Sequence, residues 1–261
     1  MDNLEPSHEG ELRASEPLPP TERERDDPFW GYMDLLLFAG LTVPSLLLGI
    51  LLVKGVLAVF HLHPAVTVAV LLPEQLVGYG ILFSALRLMF RVQYDRPFWQ
   101  SLGWTPFAMP AATVVLAGGG AAIGMIVAGA LIHLPQNANQ MSELLQQGNV
   151  ALVLMTIFGV GIAPLCEELA FRGFLQPLLV RSFGAWAGIL IAGVAFGLLH
   201  FQEYGNSWRH ALLLSGAGAC FGWMRHITRS TKASVLMHAS YNGLLFLLLG
   251  ISLLVERNQH Q

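Results

Sequence analysis

Residues 150–181 read VALVLMTIFGVGIAPLCEELAFRGFLQPLLVR. The stretch exceeds the roughly 20 apolar residues with which a helix crosses a bilayer, yet it carries Glu167, Glu168 and Arg172 near its middle. Its surroundings decide how it is read. Six further apolar runs lie near 33–58, 65–88, 107–132, 184–204, 209–225 and 233–255, with no soluble insertion between them. Lipid offers a backbone amide no partner, so each run must satisfy its own hydrogen bonds as a helix. The expected fold is all-α, a polytopic membrane helical bundle of about seven transmembrane helices. The range is six to eight, because the long fourth run has room for an extra half-helix.

Composition points the same way. The 261 residues are 54% hydrophobic and 12% charged, with a mean hydropathy of +0.56, far from an average soluble domain. Nine of the 17 acids and three of the 14 bases fall in the first 27 positions, which leaves eight acids and eleven bases for the other 234 residues. Residues 1–29 mix acids, Pro and Ser without helical or strand period, and read as a disordered cytosolic tail. No basic start followed by an early apolar stretch marks a secretory signal, so the first apolar run is expected to stay as a span. Two cysteines and a formal charge of −3 exclude a disulfide scaffold and a nucleic-acid binder. Cys166 and Cys220 sit in apolar runs, as reduced thiols acting as small hydrophobes do.

Basic residues set the expected orientation. With an odd number of spans and a cytosolic N-terminus, Arg13, Arg23, Arg25, Arg87, Arg91, Arg96, Arg181, Arg225, Arg229 and Lys232 lie inside, against Lys54, Arg209 and Arg257 outside. Gly pairs four apart, at 120/124, 193/197 and 218/222, suit close helix packing in lipid.

An intramembrane charge costs about 2.5–3.5 kcal/mol on insertion scales, so three together require compensation. Glu168 and Arg172 are four apart on one helix face and can pair. Glu167 is turned about 100° away, without a local partner, and a protonated form is its cheap solution. The fifth run contains FGLLH, with Phe196 and His200 four apart, and the seventh contains HASYN, with His238 and Asn242 four apart. Glu167 stands 16 residues before Phe183 and His200 stands 17 after it. In an antiparallel hairpin the two share a depth, about 24–26 Å from the turn. His238, about 9 Å past Lys232, is expected out of line unless the hairpin projects beyond the membrane or a helix tilts or breaks. Pro164 and Pro177 make a kink credible.

A carboxylate and an imidazole at one level can activate water. His238 and Asn242 can donate to the oxyanion formed when water attacks a peptide carbonyl. Glu167, His200 and His238 could also hold zinc with water in the fourth place. Without a zincin pattern of two His four apart around a Glu, metal-free hydrolysis is preferred. Cys166 adjoins Glu167 but points to another face, so a cysteine nucleophile has little support. Glu74 and Gln75 in the second run read as structural, His61 and His63 as loop residues, and Trp99, Trp104 and Trp223 as interfacial.

The three motifs, EELAFRG, FGLLH and HASYN, resemble in order and spacing the EExxxR, FxxxH and HxxxN motifs of the CAAX prenyl protease and bacteriocin-processing (CPBP, type II CAAX protease or Abi) family of intramembrane endopeptidases. The resemblance covers about residues 150–245. It implies that Glu167 and His200 activate the water, that His238 and Asn242 form the oxyanion site, and that Glu168 and Arg172 support both. Domain organisation follows: a tail to residue 29, N-terminal spans over 30–149, a catalytic core over 150–255 and a C-terminal tail over 256–261. The implied substrate is a membrane-bound peptide or protein. A scaffold or bacteriocin-immunity protein of the same fold is the second reading. A proton-coupled transporter is the third, disfavoured because no internal repeats are visible.

Overall fold

A computed structural model describes residues 28–134, 144 and 147–259 of the chain. Among these residues the fold is helical throughout. Helices α1 (Tyr32–Val59), α2 (Val68–Tyr94), the short α3 (Phe98–Ser101) and α4 (Ala111–Leu131) form the N-terminal part. The long fourth run is a composite of α5 (Asn149–Ile157), a wide π-turn segment π1 (Phe158–Ile162), α6 (Ala163–Glu168), a second wide segment π2 (Leu169–Leu175) and α7 (Gln176–Phe183). Helices α8 (Ala185–Leu199), α9 (Trp208–Thr228) and α10 (Thr231–Gln259) complete the bundle. Five helical stretches are long and apolar enough to cross a membrane: 32–59, 68–94, 111–131, 149–183 and 231–253. Helix α8 is apolar but has 15 residues, about 22 Å, shorter than the hydrocarbon core. The protein is an all-α polytopic integral membrane protein.

The segment before α1 is not a free tail where it is described. Trp30 is buried, donates its indole N–H to the Phe174 carbonyl at 3.0 Å, and stacks on Phe90 and Phe174. Phe29, assigned to the tail by composition, packs edge-on against Trp30 and Phe90. Aromatic burial therefore fixes the chain from Pro28 onward; residues 1–27 lie outside the described residues. Asp34 ties α1 to the end of α2, accepting from the Gly31 N–H at 2.8 Å and the Tyr94 hydroxyl at 2.7 Å.

Two of the three glycine pairs bring backbones together. A Cβ at Gly193 would stand 2.8 Å from the Ser215 carbonyl, and one at Gly197 2.3 Å from that of Ala211, so α8 and α9 meet backbone to backbone. A Cβ at Gly218 would stand 3.1 Å from the Gly193 Cα, and one at Gly222 2.6 Å from the Gln176 side-chain oxygen. The pair at Gly120 and Gly124 does not pack this way: a Cβ at either would meet nothing within 4 Å. Gly118, on another face of α4, makes the close contact instead, against the Met237 carbonyl.

Candidate active site

Both prolines of the fourth run follow a wide turn. Pro164 stands in the first turn of α6 and Pro177 in the first turn of α7. A proline inside a regular helix removes a hydrogen bond and clashes with the carbonyl four residues back. An i→i+5 turn relieves that clash, and such turns often mark functional sites. Between the two wide segments, the six-residue α6 presents the paired glutamates.

Glu168 is fully buried and fully engaged. Arg172 Nη1 donates to its Oε1 at 2.9 Å, the Ser234 hydroxyl lies 2.5 Å from its Oε2, and His238 Nδ1 lies 2.9 Å from Oε1. Arg172, also fully buried, donates through Nη2 to the Gly218 carbonyl at 2.7 Å. Its guanidinium carbon sits 4.8 Å from the Phe196 ring centre and 5.5 Å from those of Phe171 and Phe221. The charge is thus enclosed by a carboxylate, a carbonyl and three aromatic faces, which compensates its removal from water.

Glu167 faces the other way, into a part-exposed space between two imidazoles. His200 Nε2 is 4.0 Å from its Oε1, and His238 Nε2 is 3.8 Å from its Oε2. Both distances are too long for direct hydrogen bonds and fit a bridging water. Each ring is held by its other nitrogen. His200 Nδ1 lies 2.9 Å from the Phe196 carbonyl, which can only accept, so Nδ1 carries the proton. His238 Nδ1 in turn faces the Glu168 carboxylate. Phe196 buttresses both rings, 4.7 Å from His200 and 5.7 Å from His238, while Phe221 stacks on His238 at 4.3 Å.

His238 is therefore in line with Glu167 and His200, contrary to the expectation from counting residues. The reason lies in how far the α7–α8 hairpin runs past the start of α10. Leu102 touches both Gly173, whose Cβ would stand 3.0 Å from the Leu102 carbonyl, and Thr231, whose hydroxyl donates to that carbonyl at 2.6 Å. Gly173 and the start of α10 thus share a level. From it, Glu167 is six residues away and His238 seven, roughly 9 and 10 Å. The α7–α8 turn at Gly184 lies 11 residues beyond Gly173 on the other side, roughly 16 Å past that level.

Residues 149–244 match the family described as type II CAAX prenyl endopeptidase, Rce1-like. The resemblance carried by the three motifs holds for this segment, which contains all six motif residues. No significant similarity to a curated protein or to a solved structure was found.

Within the Rce1-like segment, five of the six residues converge directly, and Asn242 reaches a backbone group instead. Its Nδ2 donates to the Gly159 carbonyl in π1 at 2.7 Å. Helix α8 also ends earlier than its apolar run: His200 is its C-cap, followed by a turn that carries Glu203 and Tyr204. Both stand near Glu167, as does Tyr79 from α2. None of these three was legible as a site residue. Ser234 was not singled out either, although it precedes His238 by four as His238 precedes Asn242, a spacing that puts all three on one face of α10. Among the described residues no three His, Cys, Asp or Glu side chains are arranged to hold a metal ion. Cys166 and Cys220 are free, half-buried thiols, and Glu74 lies where α1 crosses α2, its carbonyl against Gly49.

Proposed function

We propose that the chain is an intramembrane endopeptidase that hydrolyses a peptide bond in a membrane-associated protein or peptide, prenylated substrates being the class the family description indicates. The observation that supports this most is the Glu167 carboxylate, held part-exposed with one oxygen toward each of two imidazole Nε2 atoms at 4.0 and 3.8 Å. A water between them gives one proton to Glu167 while His200 Nε2 accepts a hydrogen bond from its other O–H, and its oxygen attacks the scissile carbonyl carbon. The carbonyl becomes an oxyanion that the Nε2 side of His238 and the second N–H of Asn242 receive. Collapse of the tetrahedral species breaks the C–N bond, and the proton on Glu167 passes to the leaving amine. The buried Glu168–Arg172 pair fixes His238 and takes no part in proton transfer. Partners on this reading are the bilayer and the membrane-bound substrate, with no nucleic acid.

Incubating the purified protein with a membrane proteome and reading new termini by mass spectrometry tests the activity. Termini produced by wild type and not by Glu167→Ala support it; identical sets from both sink it.

The mechanism is proposed to be metal-free, because a Glu and His pair suffices to deprotonate water. Cleavage after treatment with a strong chelator is expected to match the untreated enzyme, with elemental analysis of the same sample alongside. Activity that disappears on stripping and returns with stoichiometric zinc would replace this mechanism by one in which zinc lowers the pKa of the water.

The proposed orientation puts the N-terminus in the cytosol. A cysteine placed at position 10 is then protected from impermeant thiol reagents in intact cells, and a reporter fused after Gln261 faces the exterior. Labelling of that cysteine would invert the topology.

A further inference from the structure

In π1 the Ala163 N–H is given to the carbonyl of Phe158, five residues back. In that register the next carbonyl, Gly159, looks to the N–H of residue 164, which is Pro164. Proline has no N–H, so the helix leaves this carbonyl without its own donor in a lipid-embedded segment, where an unmet backbone group is costly. Asn242 supplies the donor from α10, at 2.7 Å. The packing is built around this contact. A Cβ at position 159 would stand 2.7 Å from the ring of Phe246, one turn beyond Asn242, so glycine here leaves room for that ring against π1. Gly243, beside Asn242, faces Val160 of the same wide turn.

The position of the wide turn matters because Glu167 lies only eight residues beyond Gly159. Gain or loss of one residue in the turn would rotate Glu167 by about 100° and shift it by about 1.5 Å, out of the space between His200 and His238. We infer that Asn242 is a positioning residue: by donating to the carbonyl that Pro164 orphans, it locks the wide turn that aims Glu167 at the two imidazoles. This role uses one N–H of the amide and is separate from donation to an oxyanion. Its effect on cleavage rests on the protease reading above; its effect on the fold does not.

A double-mutant cycle on the full chain in detergent separates the two. Asn242→Ala leaves the Gly159 carbonyl buried and unmet, and should lower the thermal midpoint by roughly 3–10 °C. In the Pro164→Ala background, residue 164 regains an N–H that reaches Gly159, so the same change should cost less than half as much. Equal losses in the two backgrounds would overturn the clamp. Cleavage of the membrane proteome provides the second readout. Asn242→Ala should slow the appearance of new termini at least about tenfold, and Pro164→Ala should restore part of that loss. An Asn242 acting on the oxyanion alone gains nothing from a change at position 164, so a folded double mutant without rescue overturns the positioning role. Thermal coupling together with a wild type that releases no termini would uphold the clamp and sink the protease reading. If Pro164→Ala does not accumulate, Asn242→Asp decides: its carboxylate meets the carbonyl oxygen to oxygen, and wild-type thermal stability in that variant would overturn the inference.

Discussion

Replacing Glu167 by Gln is expected to slow peptide cleavage by about 10²–10⁴-fold, the range for loss of a general base, while the protein accumulates and melts as wild type does. Gln has the size of Glu and keeps a polar tip, so the pocket changes little in shape. Among the described residues Glu167 also makes no short hydrogen bond whose loss would strand a partner: its nearest imidazole nitrogens stand 3.8 and 4.0 Å away. What disappears is the ability to take a proton from water. His200→Ala is expected to behave likewise, because the ring holds the water and, among the described residues, hydrogen-bonds only to the carbonyl of Phe196, four residues back. Both variants are compared with wild type by rate of new-terminus formation and by thermal unfolding in detergent. Cleavage at the wild-type rate by Glu167→Gln would remove Glu167 from the mechanism.

The opposite pattern is expected at the buried pair that begins one residue on, at Glu168. Arg172→Ala should destabilise the fold by about 3–5 kcal/mol, the cost of breaking a buried ion pair, with a sharp fall in accumulation. The substitution leaves the Glu168 carboxylate charged and enclosed, removes the donor to the Gly218 carbonyl, and opens a void among Phe171, Phe196 and Phe221. A Glu168→Gln, Arg172→Met double variant removes both charges and should recover much of the accumulation. It should not recover full cleavage, because His238 loses the carboxylate that orients its ring. Normal accumulation and melting of Arg172→Ala would show that the pair does not hold the core together. Adjacent glutamates thus divide the work by helical step alone: Glu168 turns inward to structure, and Glu167 turns toward the open space.

Much of this was legible in the chain. Apolar runs of spanning length fix the class of fold, because a backbone in lipid has no other way to satisfy its amides. Residues four apart fix which side chains share a face, so Glu168 with Arg172, Phe196 with His200, and His238 with Asn242 were readable as pairs. The expense of burying charge singled out Glu167, Glu168 and Arg172 from a field of Leu and Gly. What the linear order could not carry was the relative height and rotation of helices that contact each other only in three dimensions. The hairpin tip projects past the start of α10 because Leu102 wedges against both Gly173 and Thr231, and that contact is what lifts His238 to the level of Glu167. The wide turns before Pro164 and Pro177 rotate α6 in a way that a regular 100° step does not anticipate. The partner of the carbonyl that Pro164 orphans comes from a residue 83 positions away. Local periodicity determines which residues are able to meet. Packing between distant segments, where small residues let backbones touch and buried polar groups must each find a donor, decides that they do.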